Sequence, residues 1–238
     1  LATLSSAVKL RQSRREVKQL QTRLEALSES DKDAPLMIGE SKAMQEVFAS
    51  IHQLSNTDAN ILILGENGTG KDLVARSLRH FSSRQQAPFI TIDLGSVPES
   101  LFESELFGYE KGAFTDARKP KAGRMEVASG GTLFLDEIGN LSLAMQSKLL
   151  TAIEKRQISR LGATRSIPIN IRLICATNAN IRQMVEDGTF RQDLLYRINT
   201  VEIHIPPLRE RGEDVILLAE YFLKRYSHKY KKNIQGLT

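Results

Sequence analysis

A glycine-rich stretch, Gly65 to Asp72, holds the residues whose types and spacing are best suited to chemistry. Gly65, Gly70 and Lys71 have the Gly-x4-Gly-Lys spacing of a phosphate-binding (Walker A) loop, directly after an apolar run typical of a β-strand. Glycines let backbone N–H groups converge on phosphate oxygens, and the lysine and the start of the next helix add positive charge. Asp72 departs from the motif, because a hydroxyl residue usually coordinates Mg²⁺ there. The alternative is a glycine-rich turn in an ordinary βα unit.

Two carboxylates, Asp136 and Glu137, end a second apolar run, and Asp136 lies 65 residues after Lys71. In a nucleotide-binding α/β sheet, ligands lie beyond the carboxyl ends of the strands. Asp136 is therefore predicted to coordinate Mg²⁺, directly or through water. Glu137 is predicted to polarise the water that attacks the γ-phosphate. A solvated Asp-Glu turn at a strand end is the alternative.

Further polar residues follow later in the chain. Thr177 and Asn178 end another apolar run, where a sensor of the γ-phosphate is expected, although Asn178 could instead cap a helix. Arg191 and Arg197 are six residues apart on a predicted helix, and so point about 240° apart. They cannot both reach one phosphate from one face. One of them is predicted to act across a subunit boundary as an arginine finger, with surface salt bridging as the alternative.

A loop with the sequence Gly-Ala-Phe-Thr-Asp-Ala, residues 112–117, lies between a predicted helix and the acidic strand. It belongs to a connection that is long for a βα unit, which indicates a functional insertion. Residues 157–168 form a second candidate insertion. Phe114 is either tucked into the core or presented outward. Composition does not decide between the two, and the tucked position is the default expectation.

The composition narrows the class of protein. Six basic residues and one acidic residue among positions 1–23 account for the whole net charge of +5, so the main domain is electrically balanced. This argues against a broad nucleic-acid-binding face on that domain. The one cysteine, Cys175, excludes an internal disulfide and fits a reducing compartment. There is no apolar stretch of roughly 20 residues and no signal peptide, so we expect a cytoplasmic protein with no membrane contact. The scattered histidines give no support for a metal other than Mg²⁺.

The pattern of elements predicts an α/β fold. Apolar strands alternate with helices, which indicates a parallel sheet sandwiched by helices. The strands are predicted at Ala59–Leu64, Pro88–Leu94, Thr132–Asp136, Ile169–Thr177 and Val201–Ile205. The main helices after the phosphate-binding loop are predicted at Glu99–Phe107, Leu143–Arg156, Asn180–Glu186, Arg191–Arg197 and Asp214–Tyr230.

Three regions are expected along the chain. Residues 1–34 are predicted to be a helical coiled-coil linker that dimerises, with a solvated helix packed on its own domain as the alternative. The heptad positions of this linker are Leu10, Ser13, Val17, Leu20, Leu24 and Leu27. Residues 35–207 are predicted to form the α/β core, and residues 208–238 the start of a truncated helical lid.

Six motifs together resemble a known family. They are GENGTGKD, ESELFGYEKGAFTDA, GGTLFLDEIGNLS, ATN, GTFRQDLLYRIN and IPPLRERGEDV. From about Leu36 to Thr238 the sequence resembles the AAA+ central domain of bacterial enhancer-binding proteins, the NtrC-like activators of sigma-54 RNA polymerase. The resemblance implies a P-loop ATPase that assembles into a hexamer or heptamer ring and binds ATP and Mg²⁺ at each subunit interface.

The resemblance also implies roles for individual residues. The catalytic set is Lys71, Asp136, Glu137, Asn178, Arg191 and Arg197. Nucleotide binding is assigned to Ile38, Gly39, Gly65, Glu66, Asn67, Gly68, Thr69, Gly70, Lys71 and Asp72. The metal-binding residues are Asp136 and Asp72, and the sensor and switch residues are Thr177, Asn178 and Asp93. The sigma-54 contact loop is Gly112, Ala113, Phe114, Thr115, Asp116 and Ala117, which reverses the default expectation for Phe114.

Three departures from the family pattern bear on function. Asp116 replaces the second glycine of the usual GAFTGA loop; Asp adopts positive φ less freely than Gly and adds charge at the tip. Asp72 replaces the usual Glu and keeps a carboxylate. Asp93 replaces an Asn, and an ionised Asp cannot donate a hydrogen bond to Glu137.

The ends of the chain and these departures leave alternatives open. The sequence stops before the family's second sensor arginine and DNA-binding helix-turn-helix, so enhancer DNA is expected to bind only through a domain outside residues 1–238. The leader resembles the linker after a receiver domain, which implies a two-component response regulator. Two rival functions are an AAA+ ATPase that acts on another protein and an ATP-dependent oligomerising regulator with little hydrolysis.

Overall fold

The computed structural model describes residues 37–232, and these lie within one compact unit. Its centre is a five-stranded sheet in which all neighbouring strands are parallel. From one edge to the other the strands are β2 (Phe89–Asp93), β5 (Thr132–Asp136), β8 (Arg172–Thr177), β1 (Ile61–Leu64) and β9 (Val201–His204). The predicted α/β class with a parallel sheet is confirmed.

Helices cover both faces of the sheet. They are α1 (Lys42–Ser55), α2 (Lys71–His80), α3 (Glu99–Phe107), α4 (Arg124–Val127), α5 (Leu143–Lys155), α6 (Ile181–Glu186) and α7 (Gln192–Ile198), each with residues in the buried clusters. A further helix, α8 (Asp214–Tyr230), follows the last strand and buries only Asp214. Successive side chains of a strand point to opposite faces. Ile61 and Ile63 of β1 accordingly pack in a buried cluster with α1 and α2, whereas Leu62 packs in a second cluster with α3, α5 and α7. Burial on both faces explains why the central strands are mostly apolar, whereas the edge strands β2 and β9 carry exposed polar residues such as Asp93 and His204.

Several predicted bounds differ from the structure by one or two residues, and the start of β8 differs by three. Strand β8 begins at Arg172 and not at Ile169, because the preceding residues form an antiparallel hairpin of β6 (Gln157–Ser159) and β7 (Ser166–Pro168). The Ile169 N–H continues that hairpin by donating to the Arg156 carbonyl at 2.9 Å. Helix α7 begins at Gln192, and Arg191 precedes it with an extended backbone.

The β6–β7 hairpin holds the base of the 112–117 loop. This loop lies between β3 (Gly108–Tyr109) and β4 (Lys121–Ala122), which pair as antiparallel strands. The Leu161 N–H donates to the Gly108 carbonyl at 2.9 Å, and the Glu110 N–H donates to the Leu161 carbonyl at 2.9 Å. The two candidate insertions of the sequence are therefore neighbours that share backbone hydrogen bonds.

The region predicted as a lid begins with a short 3-10 helix, Leu208–Glu210, and continues as α8. The predicted linker at 1–34, with its heptad residues, lies outside the described residues, as does the C-terminal stretch 233–238. Within residues 37–232, no helix has the length and apolar character needed to cross a membrane.

Candidate functional site

The phosphate-binding loop connects β1 to α2, and two of its glycines need conformations that other residues rarely adopt. Gly68 has φ 79° and Gly70 has φ 99°, and Gly70 is the N-cap of α2, which begins at Lys71. The loop is closed by the Glu66 carbonyl, which accepts hydrogen bonds from the Thr69 hydroxyl at 2.8 Å and the Thr69 N–H at 3.3 Å. The backbone thus turns sharply at a helix N-terminus, the arrangement that binds anions.

Lys71 joins this loop to the acidic strand. Its side chain is only 6 % exposed. The ammonium Nζ donates to the Gly65 carbonyl at 3.1 Å and lies 3.4 Å from Glu137 Oε1. The structure therefore brings together the lysine and the carboxylate that the sequence separates by 66 positions.

Glu137 follows β5 in a strained conformation. Its φ of 54° places a non-glycine residue in the left-handed region, which costs on the order of 1–3 kcal/mol and is most common at functional sites. Glu137 N donates to Asp136 Oδ1 at 3.0 Å, and Glu137 Oε2 accepts from the Asn178 N–H at 3.3 Å. The Glu137 carboxylate is thus held between Lys71 and the end of β8. The sequence pattern contained no signal for this backbone conformation.

Two carboxyls beside the loop have raised pKa values. Burial is the main cause for Asp136; the nearby carboxylates of Glu137 and Asp93 raise its pKa further, whereas the Glu137 N–H and Lys71 lower it. The pKa of Asp72 is raised by burial and then by the charge of Asp136. Asp72 also accepts a hydrogen bond from Arg76 Nε at 2.7 Å. Asp72 and Asp136 therefore share one electrostatic environment.

This pair of carboxyls fits Mg²⁺ as a donor set. Magnesium in nucleotide sites is commonly held by one or two carboxylates, with phosphate oxygens and water completing its shell. Between residues 37 and 232 there is no cluster of three or more His, Cys, Asp or Glu side chains that could hold a metal ion without such help. A cation at Asp72 and Asp136 would thus depend on the phosphates of a nucleotide.

Asp93 is the neighbour of Asp136 in the register of β2 and β5. Its Oδ1 accepts from the Gly95 N–H at 2.9 Å, so the carboxylate closes a turn after β2. The structure places Asp93 near the predicted catalytic carboxylates, where its charge contributes to the raised pKa of Asp136.

The two predicted sensor residues have different environments. Thr177 is 1 % exposed, and its hydroxyl accepts from the Ala179 N–H at 3.1 Å. Asn178 is exposed, and its backbone faces Glu137. The alternative in which Asn178 caps a helix is wrong: Asn180 is the N-cap of α6, and its side chain accepts from the Gln183 N–H at 3.2 Å.

The two candidate arginine fingers do not share a helix. Arg191 is the residue before α7, positioned by its N–H bond to buried Gln146 Oε1 at 2.8 Å, and Arg197 lies in the last turn of α7. The angular argument for this pair is therefore wrong. Asp193 holds the Arg191 guanidinium by two bonds, from Nε at 3.0 Å and from Nη2 at 2.6 Å. The Arg197 side chain is exposed.

The 112–117 loop presents its aromatic side chain outward. Phe114 is 43 % exposed and makes an edge contact with Tyr109, with ring centroids 4.8 Å apart. The default expectation of a buried Phe114 is wrong. Thr115 and Asp116 are also exposed, whereas Ala117 is only 3 % exposed, and its predicted contact with a partner stays a prediction.

The Asp116 substitution is compatible with the loop backbone. Positive φ is required at Gly112, where it is 83°, and not at Asp116. The Gly112 N–H donates to the Ala117 carbonyl and the Ala117 N–H donates to the Phe114 carbonyl, both at 2.9 Å. These bonds close the loop without a glycine at position 116. The expected backbone conflict does not arise, and only the added charge remains.

Sequence reasoning missed several residues around the loop. Met37 is one of them and contacts the loop: a Cβ on Gly70 would lie 3.0 Å from Met37 Cε. Its neighbours Ile38 and Gly39, which were predicted, are partly buried. Arginines from the segment after β9 reach the loop from the other side; they are Arg209 and Arg211, bound to Glu66 and to the Thr69 carbonyl. The signal in the sequence was the motif IPPLRERGEDV, which contains both arginines but does not indicate what they contact.

Known proteins resemble the chain over most of its length. Residues 37–204 match the sigma-54 interaction domain family. The Nif-specific regulatory protein of Herbaspirillum seropedicae is 48% identical over 222 residues, which are 93% of this chain and 40% of the relative. The transcriptional regulatory protein ZraR of Salmonella typhimurium is 49% identical over 202 residues, 85% of this chain and 46% of the relative. This chain therefore spans less than half the length of these curated relatives.

Solved structures give the same result. NtrX from Brucella abortus, crystallised in complex with ADP, has a TM-score of 0.77 and 33% identity, and the match covers 89% of this chain and 47% of NtrX. The same protein in complex with ATP matches with a TM-score of 0.77. The predicted AAA+ P-loop NTPase fold is confirmed. The chain belongs to the sigma-54 interaction domain family, whose members are sigma-54-dependent enhancer-binding activators.

Proposed function

We propose that this chain hydrolyses ATP with Mg²⁺ and uses the reaction to remodel sigma-54 RNA polymerase holoenzyme in the cytoplasm. The observation that best supports hydrolysis is the position of Lys71, whose Nζ lies 3.1 Å from the Gly65 carbonyl and 3.4 Å from Glu137 Oε1. One side chain thus joins the phosphate-binding loop to a carboxylate suited to orient water.

Each residue near the loop has a proposed task. Residues 65–72 bind the phosphates through backbone N–H groups and Lys71, and residues 38–39 contact the base. Asp136 and Asp72 would hold Mg²⁺, which would supply positive charge to neutralise the phosphates. Glu137 accepts a hydrogen bond from the attacking water and aligns it with the γ-phosphate. Asp93, Thr177 and Asn178 surround these groups and set their hydrogen bonds.

Arg191 and Arg197 are proposed to act on the nucleotide of a neighbouring subunit in a hexamer or heptamer ring. Both lie at an end of α7 and are at least partly exposed. An arginine that neutralises transition-state charge in this way contributes about 10³–10⁵ in rate. In a single protomer Arg191 is bound to Asp193, so assembly would exchange this partner for a phosphate.

The proposed contact with sigma-54 is the exposed tip formed by Phe114, Thr115 and Asp116. An aromatic side chain that is 43 % exposed at the end of a hydrogen-bonded loop is suited to insert into a partner. Enhancer DNA would be bound by another part of a longer protein. Residues 1–34 would form a dimerising linker after a receiver domain, which makes the whole protein a response regulator.

Binding of sigma-54 in the presence of ADP–aluminium fluoride, a transition-state mimic, tests the proposal. We expect the wild-type chain to bind and Phe114→Ala to lose binding while it retains ATP hydrolysis. Phe81→Ala is a matched control, because Phe81 is also an exposed phenylalanine, at 41 %, and lies away from the loop. Equal binding by wild type and Phe114→Ala would contradict the loop assignment. Hydrolysis without any sigma-54 binding would indicate a different protein target.

A further inference from the structure

The segment after β9 contacts the phosphate-binding loop through a buried arginine. Arg211 is 5 % exposed. Its Nη2 donates to the Thr69 carbonyl at 2.7 Å, and its Nε donates to the Pro206 carbonyl at 2.8 Å. One planar guanidinium therefore links two backbone segments that are more than 130 positions apart in the sequence.

The bond to Thr69 fixes the orientation of the Thr69–Gly70 peptide, which belongs to the predicted phosphate-binding loop. The described residues contain no cis peptide bond, and in a trans peptide the C=O and N–H point in opposite directions. A Thr69 carbonyl directed at Arg211 therefore directs the Gly70 N–H away from Arg211. Gly70 is the N-cap of α2, where N–H groups lack intrahelical partners. The residues on either side are held by the Thr69 bonds to the Glu66 carbonyl and by the Val74 N–H bond to the Gly70 carbonyl, and the Arg211 bond is the one made to the carbonyl of the peptide between them.

Other contacts of the same segment support a role in the nucleotide site. Arg209 binds the Glu66 carboxylate with two bonds, at 2.8 and 2.5 Å, and so neutralises an acidic group on the loop. Asp214, the first residue of α8, is 1 % exposed and accepts from the Glu40 and Ser41 N–H groups at 2.6 and 3.0 Å. The segment thus holds both the loop and the stretch beside Gly39.

We propose that Arg211 is a positioning residue for nucleotide binding, which keeps the Gly70 N–H aimed at the β-phosphate. The inference rests on the proposed function in that it requires a nucleotide at residues 65–72. It adds a residue that lies outside the Gly-x4-Gly-Lys motif and belongs to the segment leading into α8. Movement of α8 would be transmitted to the phosphate-binding loop through this guanidinium.

Affinity for ADP and for AMP in Arg211→Met tests this inference, and neither measurement needs hydrolysis. Methionine fills a similar volume but donates no hydrogen bond. We expect affinity for ADP to fall about tenfold, as for the loss of a hydrogen bond from a charged group. Affinity for AMP, which lacks a β-phosphate, should change less than twofold. Arg84→Met is the control: Arg84 also donates to backbone carbonyls, those of Gly131 and Asn170, but lies away from the loop.

Arg211→Lys is the second variant, to be used if the methionine variant does not fold. It keeps the positive charge at this position. An ammonium lacks the planar fork that reaches both carbonyls, so we expect weaker ADP binding here too, with an unfolding midpoint close to wild type. Three outcomes would overturn the role of Arg211 and leave the proposed function standing. They are wild-type ADP affinity in the folded Arg211 variants, equal losses of affinity for ADP and AMP, and an equal loss of ADP affinity in Arg84→Met. A wild-type chain that binds no ADP would overturn the proposed function as well.

Discussion

Arg172 offers the clearest test of how the two helices around the phosphate-binding loop are held together. This arginine is 1 % exposed and lies at the start of β8. It donates to the carbonyls of Ser55 at 2.7 Å, Leu54 at 2.8 Å and Leu78 at 3.4 Å. These carbonyls belong to the last turns of α1 and α2, where a positive charge is favourable. The Leu54 carbonyl also accepts from the Thr57 N–H at 3.1 Å and the Thr57 hydroxyl at 2.8 Å.

We expect Arg172→Met to lower the free energy of unfolding by up to about 3 kcal/mol. Each of the two short bonds contributes roughly 1.5 kcal/mol as a hydrogen bond from a charged donor, and the 3.4 Å bond adds little. Methionine keeps most of the volume, so the contribution of a cavity is small. The Arg172 guanidinium is buried, which lowers its pKa because its charge is poorly solvated. Removing this charge offsets part of the loss.

Urea unfolding of wild type and Arg172→Met measures this loss, provided that the free energy of unfolding falls with urea concentration at the same slope in both. Arg182→Met is the control, because Arg182 is 73 % exposed and its ion pair with Glu202 should contribute less than about 1 kcal/mol. A loss in Arg172→Met no larger than in Arg182→Met would refute the reasoning. ADP affinity at low temperature should be unchanged in Arg172→Met, since Arg172 is at the opposite end of β8 from Asn178.

Two further predictions concern the site and the loop. The pKa values of Asp72 and Asp136 are raised, chiefly by burial, so both carboxyls take up protons at a higher pH than ordinary aspartates. Mg²⁺-dependent ATP binding should therefore weaken as the pH falls through these raised pKa values, whereas the stability of the nucleotide-free chain should rise over the same range. Calorimetry at several pH values checks both trends. A gain in ATP affinity from Mg²⁺ that does not change with pH would contradict the first. Asp116→Gly should change the free energy of unfolding by less than about 0.5 kcal/mol, because Asp116 is exposed and has no positive φ to relieve; a thermal unfolding scan showing a clear gain in stability would indicate backbone strain instead.

Local patterns were sufficient to predict several elements. The bounds of Glu99–Phe107, Thr132–Asp136 and Asp214–Tyr230 agree with the structure, since apolar runs and turn residues mark both ends. The start of β8 was predicted three residues early because Ile169 is apolar and buried but belongs to the hairpin side. Burial alone does not distinguish a strand from the residue that precedes it.

Features that depend on distant contacts could not be predicted in this way. The burial of Ala117 follows from how the loop folds back, and the left-handed backbone of Glu137 follows from its contacts with Lys71 and Asn178. Arg211 binds the backbone carbonyl of a residue 142 positions earlier. Because every residue has such a carbonyl, the sequence does not indicate which one is the partner. The motif predicted which residues meet at the loop, whereas the supporting contacts required the fold.

ATP turnover by Glu137→Gln is the most direct test of the central claim that this carboxylate orients water beside a bound triphosphate. Glutamine keeps the length of the side chain but cannot act as a base. We expect the variant to bind ATP with an affinity close to wild type and to hydrolyse it at least about 10²-fold more slowly. Hydrolysis by Glu137→Gln at the wild-type rate would contradict the account.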